Sequence, residues 1–222
     1  EILIGLVGSE MCIRDSDVTI IWPDDNYGYM KRLSSPKEQK RSGRSGVYYH
    51  SSYLGKPHDH LWMNTTSPTL MYEELRKAYD MTADRIWLLN AGDIKSCEFA
   101  VDFFLSMAYD IDSFDFDRAA TYRTEWLCGM LGDEYRNEYQ DVINSFYKLA
   151  FARRPEFMGW GYQWATDKHG RERNTDTDFS LTNYREVDSR LSEYRRIGSI
   201  TEKILNKLPE EKKACFYQSL YL

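Results

Sequence analysis

Val47-Tyr48-Tyr49-His50, then Ser67-Pro68 followed by Leu70, Leu75, Ala78 and Tyr79, then Arg85-Ile86-Trp87-Leu88-Leu89-Asn90: the stretch 47–90 reads as strand, helix, strand. The two outer runs are rich in β-branched, aromatic and aliphatic residues with almost no polar alternation, the pattern of strands covered on both faces. Ser67 is an N-cap type and Pro68 suits a first helical turn, so the middle segment opens as a helix and turns an apolar stripe inward. Two strands joined by a helix pair in parallel, because a parallel pair needs a crossover long enough to cover one face of the sheet. The pattern extends both ways. Val18-Thr19-Ile20-Ile21-Trp22 is an earlier strand stopped by Pro23-Asp24-Asp25-Asn26, and Cys97, Val101, Phe104, Leu105 and Ala108 mark the inner face of a helix after the last strand. An eight-stranded (β/α)8 TIM barrel and a doubly wound α/β sheet both fit this order. The lack of a glycine-rich dinucleotide turn after any strand favours the barrel.

Beyond Asp110 the strand signal stops. Tyr135, Tyr139, Val142, Phe146 and Leu149 form one helical stripe, Tyr184, Val187, Leu191 and Tyr194 a second, and Ile200, Ile204 and Leu208 a third, with Pro209 opening a short final helix. Residues 17–112 are read as the α/β part and 113–222 as an α-helical bundle domain. Trp160, Tyr162 and Trp164 stand apart in a loop with Gly159 and Gly161, where aromatic rings either pack as core or stack on a sugar.

Composition narrows the function. The chain has 222 residues, 29 Lys+Arg against 35 Asp+Glu and a formal charge of -6, with no dense basic run, so a phosphate backbone is a poor partner. No stretch reaches the ~18 consecutive apolar residues of a membrane span. The four cysteines, Cys12, Cys97, Cys128 and Cys215, are too scattered for a disulfide framework or a paired-cysteine zinc site.

Parallel α/β architectures gather functional groups at the carboxyl ends of their strands. The first end here offers Asp24, Asp25, Asn26 and Tyr27; the second His50, Ser51, Ser52 and Tyr53; the third Asn90 and Asp93. Amides, tyrosines and a histidine together suit a polyhydroxylated ligand, and a protonated His50 suits a carboxylate, so sugar acids are the indicated class. Each residue also has a plain structural reading. Asp24 and Asp25 fit turn positions, Asn26 beside Gly28 fits a left-handed turn, and His50 fits a hydrogen-bonded core histidine. In Pro57-His58-Asp59-His60 the two histidines alternate on an extended segment and point opposite ways, and no further ligand cluster follows; neither a metal nor another cofactor is expected. No Gly-x-Ser-x-Gly occurs and Cys97 sits on a helix's inner stripe, which argues against covalent acyl chemistry.

Four blocks carry a family resemblance: Trp22-Pro23-Asp24-Asp25-Asn26-Tyr27-Gly28-Tyr29, Ser42-Gly43-Arg44-Ser45-Gly46-Val47-Tyr48-Tyr49-His50, Tyr53-Leu54-Gly55-Lys56-Pro57-His58-Asp59 and Asn90-Ala91-Gly92-Asp93-Ile94-Lys95. In this order they resemble glycoside hydrolase family 115, the family of xylan α-1,2-glucuronidases, and Ser180-Leu181-Thr182-Asn183-Tyr184-Arg185-Glu186 extends the likeness into the helical part. The resemblance implies the last three strands and helices of the barrel over 17–112, followed by a helical bundle. It implies inverting hydrolysis that releases α-1,2-linked glucuronic acid or its 4-O-methyl ether from glucuronoxylan or its oligosaccharides. It places substrate-binding roles on Asn26, His50, Tyr53 and Asn90, and the essential carboxylates upstream, so that this piece alone is expected to be inactive. A secreted or periplasmic setting and a homodimeric parent are further expectations of the same kind. The rival from another class is a non-catalytic carbohydrate-binding or scaffold protein that keeps a barrel-derived pocket.

Residues 1–16 stand apart. Leu6 to Ser16, LVGSEMCIRDS, resembles the in-frame translation of a transposase sequencing adapter, and the natural sequence is expected to begin near Asp17.

Overall fold

The computed structural model describes residues 3–4, 17–61, 63–161, 165–166, 168–170 and 172–221. Two compact units are distinguished: Glu1–Tyr53 with Thr66–Ala120, and Leu54–Thr65 with Thr121–Leu222.

The first unit is built on a four-stranded parallel sheet in the order β1-β2-β3-β4, with β1 at Leu3–Ile4, β2 at Ile20–Pro23, β3 at Ser45–His50 and β4 at Ala83–Asn90. The three strands expected from sequence are β2, β3 and β4. β1 lies inside the segment read as adapter-derived: Leu3 pairs with Ile20 and Ile4 with Ile21. Two apolar residues of good strand propensity beside an open row of N–H and C=O groups suffice for such pairing, whatever their origin. The register slips between Ser45 and Val47, where Gly46 lies; a Cβ there would stand 2.1 Å from the Ile86 carbonyl oxygen, so the close approach of β3 to β4 requires glycine.

Helix α1, Pro68–Asp80, follows β3, and α2, Ile94–Tyr109, follows β4. α1 starts as its sequence dictates, with the Ser67 hydroxyl accepting the Leu70 N–H at 3.2 Å and Pro68 in the first turn. Its inner face is Met71, Tyr72, Glu74, Leu75 and Ala78, while Tyr79, expected inside, is exposed. α2 is rotated in the same way. Cys97 and Phe104 are buried as expected, but Phe99, Phe103 and Met107 fill the core, and Leu105 is 57% exposed. Aromatic rings bury more area than Leu or Ala, and Phe103 and Phe104 find ring partners in Phe114 and Tyr49, so they take the inner face.

In the second unit, α4 (Arg136–Ala152), α5 (Glu186–Lys207) and α6 (Glu210–Phe216) join the later part of α3 (Phe116–Leu131). Their core is Leu127, Cys128, Leu131, Tyr139, Ile143, Ile204, Leu208 and Phe216. A small antiparallel pair, β5 (Ala165–Thr166) and β6 (Glu172–Arg173), lies between α4 and α5 in sequence. Tyr184 is not on a helical stripe: it precedes α5 at φ 59° and is 93% exposed, and α5 buries Arg190, Ile197, Thr201 and Ile204 instead.

The boundary expected at 112/113 falls at 120/121. Phe114 is buried edge-on against Phe103, the Tyr72 hydroxyl donates to the Phe114 carbonyl at 3.2 Å, and Phe116 packs against Tyr72, which ties the start of α3 to the first unit. Residues 54–65, expected in the α/β part, belong to the second unit, where His58 and Thr65 contact residues 154–161.

Candidate functional site

The site grows from the carboxyl ends of β2, β3 and β4. Pro23 is the last residue of β2; it has no N–H of its own, and its pairing with Tyr48 is carried by the next amide, Asp24 N–H, which donates to the Tyr48 carbonyl at 3.1 Å. Asp24 and Met30 then pair as an antiparallel bridge and close a tight loop, in which Asp25 Oδ1 accepts the N–H groups of Tyr27 and Tyr29 at 3.0 and 3.1 Å. Asn26 sits at φ 72° and Gly28 at φ 97°, the left-handed turn that Asn and Gly tolerate.

Asp24 is buried and its carboxylate is saturated. Oδ1 accepts the Asn26 N–H at 3.0 Å and faces His50 Nδ1 at 2.5 Å, while Oδ2 accepts the N–H groups of Gly28 at 3.0 Å and His50 at 3.1 Å. With all lone-pair directions filled, Asp24 orients its neighbours and has none left for a ligand proton or an attacking water. Facing a carboxylate, His50 carries its proton on Nδ1. The ring is 4% exposed, and Nε2 makes no hydrogen bond among the described residues. His50 therefore presents one defined nitrogen, an acceptor when neutral and a donor when protonated.

Tyr53 and Tyr48 hold the imidazole. Tyr53 meets it edge-on at 5.5 Å between centroids and also packs on Tyr27 at 6.2 Å, and Tyr48 lies 4.6 Å away. Asn90, opposite His50 in the β3–β4 register, donates from Nδ2 to the Tyr48 hydroxyl at 3.1 Å. Its carbonyl accepts the N–H of Ser51 at 3.0 Å, that of Ser52 at 3.2 Å and the Ser51 hydroxyl at 3.1 Å, knitting the two strand ends together. The four residues named from sequence, Asn26, His50, Tyr53 and Asn90, are thus joined by one network through Asp24 and Tyr48. The connecting roles of those two were not legible beforehand, although a buried aspartate heading an Asp-x-x-x-Gly turn is a usable signal.

The other candidates fall elsewhere. His58 is 1% exposed, bonded through Nε2 to the Gly161 carbonyl and packed against Phe157 at 4.2 Å and Trp160 at 5.2 Å. His60 is buried as well, and among the described residues no three His, Cys, Asp or Glu side chains converge as metal ligands would. Asp59 accepts the Gly55 N–H, and Asp93 is an exposed residue at the start of α2. Burial pushes the Cys97 thiol pKa up, which suits an inert core residue. Trp160 is 39% exposed; Tyr162 and Trp164 lie outside the described residues.

The family model described as glycosyl hydrolase family 115 matches residues 7–157, more than half of the chain. The chain belongs to glycosyl hydrolase family 115. The matched span contains Asn26, His50, Tyr53 and Asn90, and it begins inside the adapter-like stretch. Among solved structures, the family 115 chain is similar to BtGH115A, described as a family GH115 4-O-methyl-α-glucuronidase with specificity for decorated arabinogalactans. The two share 35% sequence identity with a TM-score of 0.81 over 91% of this chain and 26% of that one, so the chain spans about a quarter of that relative's length. No curated protein sequence matches it. Among the described residues, no helix is long and apolar enough to cross a membrane.

Proposed function

We propose that this chain contributes the last three strands of a (β/α)8 barrel and the helical bundle after it to a glycosidase that removes α-1,2-linked glucuronic acid, or its 4-O-methyl ether, from xylan with inversion. The observation that carries this reading is the Asp24-oriented His50 at the joined carboxyl ends of three parallel strands, flanked by Tyr53 and Asn90. A protonated His50 would give Nε2–H to the uronic acid carboxylate, while Asn26, Tyr53 and Asn90 would meet ring hydroxyls. Inversion requires an acid and a base roughly 6.5–9.5 Å apart. Asp24 does not suit either role, because its oxygens are occupied within the fold. The pair would come from upstream strands of the parent, and this piece alone would bind without turning over.

A second substrate reading has support in the likeness to BtGH115A: the same uronic acid carried on decorated arabinogalactan. One experiment tests both. The purified full-length protein is given glucuronoxylan oligosaccharides and decorated arabinogalactan in parallel, and the anomer of the released uronic acid is followed by proton NMR. β-Glucuronic acid as first product from xylan supports the proposal, release from arabinogalactan alone moves the substrate class, and no release from either overturns the glycosidase reading.

A further inference from the structure

Glu74 is a buried carboxylate on α1 that the uronic acid pocket does not employ directly. Its Oε2 accepts the Met30 N–H at 2.7 Å, and its Oε1 accepts from the Lys77 ammonium at 2.7 Å. Met30 is the closing residue of the loop that begins at Asp24. That loop is held at three places: at its start by the Asp24 carboxylate, near its middle by the Tyr49 hydroxyl donating to the Gly28 carbonyl at 3.0 Å, and at its end by Glu74. A buried N–H needs an acceptor, but any neutral oxygen would serve. Burying a charge for the purpose is expensive, and Lys77 offsets it; in return a charge-assisted bond is about twice as strong as a neutral one.

We propose that Glu74 is a positioning residue for the sugar pocket: by clamping Met30 it fixes the 24–30 loop, and with it Asn26 and the Asp24 carboxylate that orients His50. The proposal rests on the uronic acid reading of that pocket. Its test uses two variants of the full-length protein. Glu74→Gln keeps an oxygen for the Met30 N–H, whereas Glu74→Met, of similar length, keeps none; both lose the charge and the ion pair with Lys77. Amide deuterium exchange within residues 26–30 is expected to rise about tenfold in Glu74→Met, the opening expected from one lost hydrogen bond, and to rise clearly less in Glu74→Gln, whose neutral oxygen keeps a weaker bond to the Met30 N–H. Uronic acid release should follow the same split, with kcat/KM down about 10- to 100-fold in Glu74→Met and lowered clearly less in Glu74→Gln. Equal loop exchange in the two variants, or a rise spread over the whole protein, overturns the clamp. A loosened loop with wild-type kcat/KM overturns the positioning role. A wild-type protein that releases no uronic acid counts against the pocket reading alone, and loop exchange then still decides the clamp.

Discussion

His50 and His58 are eight positions apart in sequence and almost equally buried, yet the fold surrounds them differently. His50 closes a strand, has its Nδ1 taken by Asp24 and leaves Nε2 without a protein partner among the described residues. His58 belongs to the other compact unit, has its Nε2 bound to a backbone carbonyl and has aromatic rings against its faces. Burial alone does not tell the two settings apart. What separates them is which nitrogen the fold has already used.

The largest effect expected from this contrast is on stability. His58→Ala should destabilise the full-length protein by about 2–4 kcal/mol, through lost ring packing and a part-buried carbonyl left without its partner, while the folded fraction keeps its kcat/KM. Thermal unfolding followed alongside uronic acid release measures both, and an unchanged melting temperature would break the contrast from the structural side. His50→Asn should do the reverse. Its amide nitrogen can still donate to Asp24 in place of Nδ1, but nothing stands where Nε2 was. Losing one hydrogen bond to a charged group costs about 1.5–3 kcal/mol, or ~10- to 150-fold in kcat/KM if the contact is made in the transition state, with little change in melting temperature. Wild-type turnover in His50→Asn would make it a second core histidine. The smallest effect is expected at the other end of the sheet from β4: among the described residues, deleting 1–16 removes the two-residue strand β1, and it should shift unfolding by less than about 0.5 kcal/mol, as for changes away from the core. A clear loss of stability would show that this segment is part of the evolved fold.

The sequence by itself settled what depends on near neighbours. The runs at 18–22, 47–50 and 85–90 mark the strands observed at 20–23, 45–50 and 83–90, Ser67-Pro68 starts a helix, and Asn26, His50, Tyr53 and Asn90 fall at or just past strand ends, where side chains collect. These features follow from backbone sterics, capping and periodicity, which act over a few residues. Tertiary structure decided the rest. Phe99, Phe103 and Met107, rather than Leu105 and Ala108, face the core of α2 because of the rings waiting there, and periodicity cannot rank two overlapping stripes. Residues 54–65 join the second unit because His58 and Thr65 find partners about a hundred positions later. Above all, Asp24 reads as a turn residue and becomes the orienting partner of a histidine 26 positions away, because the β2–β3 register sets Pro23 beside Tyr48 and so brings the two strand ends level. Register is a property of strand pairs, and no single strand's sequence contains it.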